Sequence, residues 1–219
     1  PPHPPHPPTS PSPPRDATLR RGRTLNRTPL ARLPVSGMLT TDQRTRGDTH
    51  TGGSLGANVI GIINQASGVI KADGSGLILD VDPDSSNGLT NNGLLEATGR
   101  GILRLNGNGG GAFTNNNLIE ALDASQVQLL NGATIIGGTL LTSGSGTIQN
   151  LGTATLNALT NAGAFIALNN TTTTLPRTIT HTGSIPLNSP RNFTALSLRG
   201  NATCHGARPP TLAVSPRVS

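Results

Sequence analysis

Between residues 56 and 201 the chain repeats one short hydrophobic phrase. A Gly or Asn opens it, an apolar residue stands two positions on, and a small or apolar residue stands four on. The phrase reads Gly68-Val-Ile-Lys-Ala72, Gly93-Leu-Leu-Glu-Ala97 and Asn117-Leu-Ile-Glu-Ala121. It continues more loosely as Gly138-Thr-Leu-Leu-Thr142, Gly163-Ala-Phe-Ile-Ala167 and Gly183-Ser-Ile-Pro-Leu187. The closing positions are 25, 24, 21, 25 and 20 residues apart, and a period in the twenties marks a stacked repeat. A second alternation follows several units: Leu77-Ile-Leu-Asp-Val81, Ile102-Leu-Arg-Leu105 and Val127-Gln-Leu129. Period-two alternation rich in branched residues predicts strands. Gly-Ser-Gly at 74–76 and 144–146, Asn-Gly at 106–107 and 131–132, and Asn-Asn at 91–92 supply turns. No window shows helical spacing with caps.

Short strands at this spacing fit an antiparallel meander or a parallel β-helix. The coil is favoured because corresponding residue types recur at the same place in successive units, so stacking sets like on like. Asn64, Asn91, Asn116 and Asn161 recur at turns, where amide side chains can form ladders between coils. The prediction is an all-β, right-handed parallel β-helix of about six coils, which at the usual strand spacing makes a rod of roughly 25–30 Å.

The phrases Gly93-Leu-Leu-Glu-Ala97, Leu-Asn-Gly-Ala-Thr-Ile-Ile-Gly-Gly-Thr-Leu at 130–140 and Ser-Gly-Ser-Gly-Thr-Ile at 143–148 resemble the β-strand repeats of bacterial surface adhesins of the autotransporter-like and filamentous-haemagglutinin-like kinds. The resemblance covers about two-thirds of the chain and implies a solenoid architecture without specifying a ligand. It implies a passenger or stalk segment at the cell surface or outside the cell, with surface glycans or host and matrix proteins as partners. The chain opens Pro-Pro-His with no signal peptide or barrel anchor in it, so an export signal is expected elsewhere.

Composition sharpens this picture. There is no Trp or Tyr and only three Phe among 219 residues, against 28 Gly. Such a chain lacks the large aromatics that usually fill a spherical core. The net charge of +6 sits at the ends: residues 1–51 hold eight Arg and three Asp, and residues 176–219 hold five Arg and no acid. Residues 52–175 hold Lys71, Arg100 and Arg104 against seven acids. The expected organisation is therefore a disordered basic Pro/Arg-rich tail at 1–55, solenoid repeats at 56–201 and a disordered tail at 202–219. Nucleic-acid binding would rest on the N-terminal cluster of Arg20, Arg21, Arg23 and Arg27, which lacks aromatics for base stacking; no specific nucleic-acid partner is expected. No stretch approaches the roughly 18 apolar residues that span a bilayer. Pro186, Pro190, Arg191 and Arg199 interrupt the last repeats, and a short stack with uncapped edges is expected to associate end to end.

Little chemistry is offered. The five His, at 3, 6, 50, 181 and 205, lie in or beside the irregular ends, and no nucleophile motif accompanies them. The single Cys204 excludes an intrachain disulfide and reads as an incidental thiol. Glu96 and Glu120 share a repeat position with Lys71 one coil earlier. Stacking would set the two carboxylates about 5 Å apart, near a retaining-glycosidase separation. A polysaccharide lyase or hydrolase is thus the enzymatic alternative, and a charged outer column is the non-catalytic reading, preferred because no aromatic is available to stack on a sugar. Calcium is the one candidate cofactor. Asp80, Asp82 and Asp84 alternate like the start of an EF-hand loop, departing from it at Ser85 and Asn91, where that loop needs Gly and Glu.

Overall fold

The computed structural model describes residues 52–199 without a break, together with four strands at Ala17–Leu19, Gly37–Thr41, Arg44–Arg46 and Cys204–His205. The alternating phrases form short strands that wind as a β-solenoid of about seven turns. Each full turn contributes one strand to each of three parallel sheets, here called A, B and C. In the second turn these are Ile60–Asn64, Val69–Ala72 and Ile78–Val81. In the third they are Leu89–Asn91, Leu94–Ala97 and Ile102–Asn106. Every strand pair is parallel, for instance Ile70 with Leu95 and Leu95 with Ile119. Among the described residues there is no helix, and none therefore long and apolar enough to cross a membrane.

Alternation decides which side chains enter the core. On sheet B, Ile70, Leu95, Ile119 and Leu140 stack in one inward column. Sheet A contributes Ile62, Leu89, Phe113, Ile135 and Leu156, and sheet C contributes Leu79, Leu103, Val127, Ile148 and Phe165. All are buried. Each full burial of such a side chain is worth about 1.5–3 kcal/mol, so the core gains its energy along the axis, one rung per coil. At one corner the column Ala72–Ala97–Ala121 lets the backbones turn closely.

Register corrects two readings of the repeat. Ala72, Ala97, Ala121 and Thr142 do stack on sheet B. Ala167 and Leu187, which the phrase places in the same column, stand on sheet C instead, with Ala167 against Asn150. The partner of Leu140 on sheet B is Asn161. The phrase slides by one face because all three faces use the same small-apolar alternation, so sequence spacing cannot tell them apart. The second correction concerns coil length. The register step on sheet A is 27 residues from Ile62 to Leu89, 24 to Phe113, 22 to Ile135 and 21 to Leu156. The first shortening happens at the corners from A to B and from B to C, where 65–68 becomes 92–93 and 73–77 becomes 98–101. The next happens at the corner from C to A, where loops 82–88 and 107–112 give way to the two-residue turn Asn131-Gly132, both residues at positive φ.

A buried amide ladder runs up the corner after sheet A. Asn64 Nδ2 donates to Asn91 Oδ1 at 2.7 Å, and Asn91 Nδ2 to Asn115 Oδ1 at 2.7 Å. The same amides reach the carbonyls of Leu94, Leu118 and Thr139 at the start of sheet B, at 3.2, 3.1 and 3.4 Å. All three Asn are buried. The third rung is Asn115, not Asn116. Asn116 lies in a neighbouring exposed column, where its Nδ2 donates to Asn92 Oδ1 at 2.8 Å. Asn161 belongs to neither, standing on sheet B. The ladder ends at Gly138, where an added Cβ would collide with Asn115 Nδ2. At Gly93, likewise, a Cβ would strike the carbonyls of Gly68 and Gln65, which is why Gly opens the phrase.

The tails read at 1–55 and 202–219 lie for the most part outside the described residues. Within them, Gly37–Thr41, Arg44–Arg46, Gly53–Leu55 and Cys204–His205 join the three sheets. The stack therefore reaches about one turn further toward the N-terminus than residue 56.

Replacing Asn91 by Ala removes the middle rung and takes the amide donor from Asn115 Oδ1 and the Leu118 carbonyl, while Asn64 Nδ2 keeps the Gly68 and Leu94 carbonyls. Urea unfolding should show a loss of about 2–4 kcal/mol. Asn92→Ala, in the exposed column, should cost under about 0.5 kcal/mol; equal losses would mean the buried ladder carries no special weight.

Candidate functional site

The structure sets Lys71, Glu96 and Glu120 opposite one another on adjacent strands of sheet B, in register with Arg46 below and Leu141 above. Ile70 and Ala72 point inward beside Lys71, so the charged column faces out. Lys71 Nζ lies 2.9 Å from Glu96 Oε2, with the two side chains 16% and 12% exposed. That closeness comes from flanking apolar neighbours, since Val69, Leu94 and Leu118 form the next outward column. One lysine thus serves two stacked carboxylates, and it sits on the nearer. Burial first, and Glu96 second, raise the Glu120 carboxyl above its ordinary value, with Lys71 acting the other way. A pair sharing one counter-ion in this way is what an outer charged ladder builds. The carboxylates are together, as spacing implied, but Glu96 is engaged by Lys71.

The three alternating Asp are sent to three tasks. Asp80 ends sheet C facing outward, opposite Arg104, and its Oδ2 accepts from Asn106 Nδ2 at 3.3 Å. Arg104 directs Nη2 to Gln128 Oε1 at 3.3 Å. Asp84 closes its own loop: Oδ1 accepts from the backbone N–H groups of Ser86 and Asn87, both at 2.8 Å, and Asn87 Nδ2 reaches Oδ1 and Oδ2 at 3.2 and 3.1 Å. Burial pushes the Asp84 carboxyl up, but the bonds from Asn87 and Ser86 together outweigh it and hold it low. Asp82 is buried at the corner, where it accepts from the Gly109 N–H. Burial, and then the charge of Asp80, raise its carboxyl against that bond. Asn91, the twelfth residue of the EF-hand-like spacing, is the central rung of the amide ladder, so the chain past Asp84 returns to the core and does not wrap a cation as an EF-hand does. Among the described residues no three His, Cys, Asp or Glu side chains gather as a metal set.

Spacing alone does not reveal the surroundings of His181. It is buried on sheet B directly over Asn161. Asn161 Nδ2 lies 3.2 Å from His181 Nδ1 and also donates to the Ser184 carbonyl at 3.2 Å. The second bond fixes which way the amide points. Nδ1 must then accept, so the ring is neutral with its proton on Nε2. Burial lowers its pKa from the ordinary 6.5.

The outer surface divides in two. The charged side chains of the sheets fall in the early coils, whereas residues 124–176 contain no Asp, Glu, Lys, Arg or His at all. There the outward positions of sheet A carry Thr134, Thr155 and Thr174 in one column, which Ser197 continues beyond the run, with Thr153 and Thr172 in the next. Beside them, Ala158, Pro176, Arg177 and Thr178 line an open depression.

Fold and surface define the class: a parallel β-solenoid whose outer faces are ladders of stacked side chains. No protein-family model matches the chain, and no curated protein or solved structure is significantly similar to it.

Two titrations should move stability in opposite directions. The unfolded chain protonates histidine near pH 6.5 and the folded chain only below it. His181 therefore stabilises the fold fully above about pH 6.5, and this contribution is lost as pH falls below that value. Urea midpoints from pH 7.5 to 5.5 should decline in the wild type, and His181→Asn should flatten the decline. Glu120 has the contrary sign. Its folded pKa is raised, so its carboxylate costs stability at neutral pH, a cost relieved as pH falls through the raised value toward 4.5. Glu120→Gln should raise stability at pH 7 by about 0.2–1 kcal/mol and lose that advantage in acid; a destabilised Gln variant at pH 7 would contradict the like-charge account.

Proposed function

We propose that the solenoid is a non-catalytic spacer or adhesive segment of a bacterial cell-surface or secreted repeat protein. The observation that carries this reading is the neutral, hydroxyl-bearing ladder face of residues 124–176, with its ranks of Thr134, Thr155 and Thr174 and of Thr153 and Thr172. A solenoid gains length by adding rungs, each held by its neighbours, without a larger core. Its outward hydroxyls and amides offer many weak hydrogen-bonding contacts at a regular pitch. That suits multivalent contact with glycans or with matrix proteins better than capture of one small ligand. The repeat phrases of surface adhesins, which this chain resembles, support the same placement.

The enzymatic alternative rests on Glu96 and Glu120. Glycoside hydrolysis needs one carboxyl free as acid and the other free to attack or to activate water. Here Lys71 occupies Glu96, and the column is flanked by Leu94 and Leu118. These features favour a structural ladder.

Cells expressing the whole parent gene should expose residues 56–201 to an antibody and to external protease. An epitope that stays inside intact cells, protected from protease, would overturn the surface reading.

A further inference from the structure

The corner from sheet C to sheet A carries two long loops, 82–88 and 107–112, on adjacent coils. They stack on a third corner, 56–59. Asn58 N donates to the Asp82 carbonyl at 2.7 Å, Asp82 N to the Leu55 carbonyl at 2.9 Å, and Asp84 N to the Ile60 carbonyl at 3.0 Å. Three successive coils therefore meet at Asp82. Its carboxylate accepts from Gly109 N–H on one side, while Oδ1 is buried with no hydrogen-bond partner, in a side chain only 7% exposed. Asp80 Oδ1, close enough for its charge to act on Asp82, is buried and unpartnered as well. Two more oxygens approach Gly109, one from the coil before and one from the loop of Asp82 itself. A Cβ built on Gly109 would run into Asn58 Oδ1 and the Pro83 carbonyl oxygen. Ala57 and Asn58 both hold positive φ, 49° and 57°, a conformation that Asn accepts more readily than most residues.

We propose that this corner is a calcium site, with Asp82 and Asp80 as carboxylate ligands and Asn58 Oδ1 and the Pro83 carbonyl as neutral oxygen ligands. A buried carboxylate oxygen without a donor is costly. Two such oxygens on carboxylates whose charges act on each other, with an amide and a carbonyl oxygen in the same corner, form the mixed oxygen set that suits calcium, which tolerates irregular geometry and more ligands than magnesium. Arg104, in register with Asp80, keeps its guanidinium on Gln128. Asp84 is outside the site, because its oxygens serve Ser86 and Asn87. Bound calcium would tie Asn58, Asp82 and the Gly107–Gly111 segment together across three coils, stiffening the corner where the repeat carries its insertions.

The test is thermal unfolding of the full chain, freed of metal by a chelator and then titrated with calcium or magnesium chloride, followed by far-UV circular dichroism because the chain has no Trp or Tyr. Calcium in the millimolar range should raise the midpoint saturably by several degrees, and magnesium should do so less. Asp82→Asn should fold, melt in chelator no lower than the wild type because a strained buried charge is gone, and lose the calcium response. Asn58→Ala, at an exposed side chain, should weaken the response. Asp84→Asn should lower the midpoint yet keep the response. Equilibrium dialysis should find one calcium per chain. A wild type indifferent to calcium, a response that survives Asp82→Asn, or one that vanishes in Asp84→Asn overturns the assignment.

Discussion

Stacking in register governs everything else in this molecule. Each strand pairs in parallel with its equivalent one coil away, so each inward side chain rests on the corresponding side chain of the next coil and each outward one stands beside its counterpart. A residue choice is therefore a column choice. Leu95 cannot be understood apart from Ile70 and Ile119, and a Gly such as Gly93 is required by the backbone of the coil beneath it. A thin core of Leu, Ile, Val and Ala, with Phe113 and Phe165 as its two large rings, suffices because the contacts are made along the axis.

The same rule shapes the polar interior. The coils keep some backbone bonds through the corners, such as Asn92 N to the Asn64 carbonyl, but the carbonyls at the start of sheet B also take side-chain donors. Asn64, Asn91 and Asn115 answer with one repeated device in which each amide serves the next amide and a corner carbonyl. His181 over Asn161 is a variation on it, with a titratable ring in place of an amide. Asp82 stands at the one corner where loop insertions interrupt the repetition, and there a buried oxygen goes without a donor. Within the ladder each amide that has a rung on either side is satisfied because the column repeats it, whereas the first rung leaves Asn64 Oδ1 without a donor; where the column breaks, an external partner has room to enter.

Outside, stacking converts local composition into surface character. Lys71, Glu96 and Glu120 become a strip of charge merely by sharing a repeat position. The uncharged run of 124–176 becomes ranks of Thr. The described rod thus carries an uncharged stretch at 124–176 between charged early coils and a last part that holds Arg177, Arg191 and Arg199, a division that the overall net charge conceals.

The sequence by itself determined the architecture. Alternation with a period in the twenties, turn residues between the phrases and a lack of aromatics leave little room for anything but stacked short strands. It also placed Glu96 beside Glu120, because these two coils are 24 residues long in both phrase and register. Tertiary structure alone decided where the columns run once coil length drifts. The phrase at 163–167 belongs to sheet C, the third rung of the ladder is Asn115, and Asn161 lies under His181. The reason is degeneracy: all three faces share one alternation, and neighbouring Asn residues look alike until the chain is wound. Three alternating Asp also read as one acidic cluster. Winding turned Asp80 outward, closed Asp84 on its own loop and buried Asp82 at the meeting of three coils, because a strand's period of two ends where the corner begins.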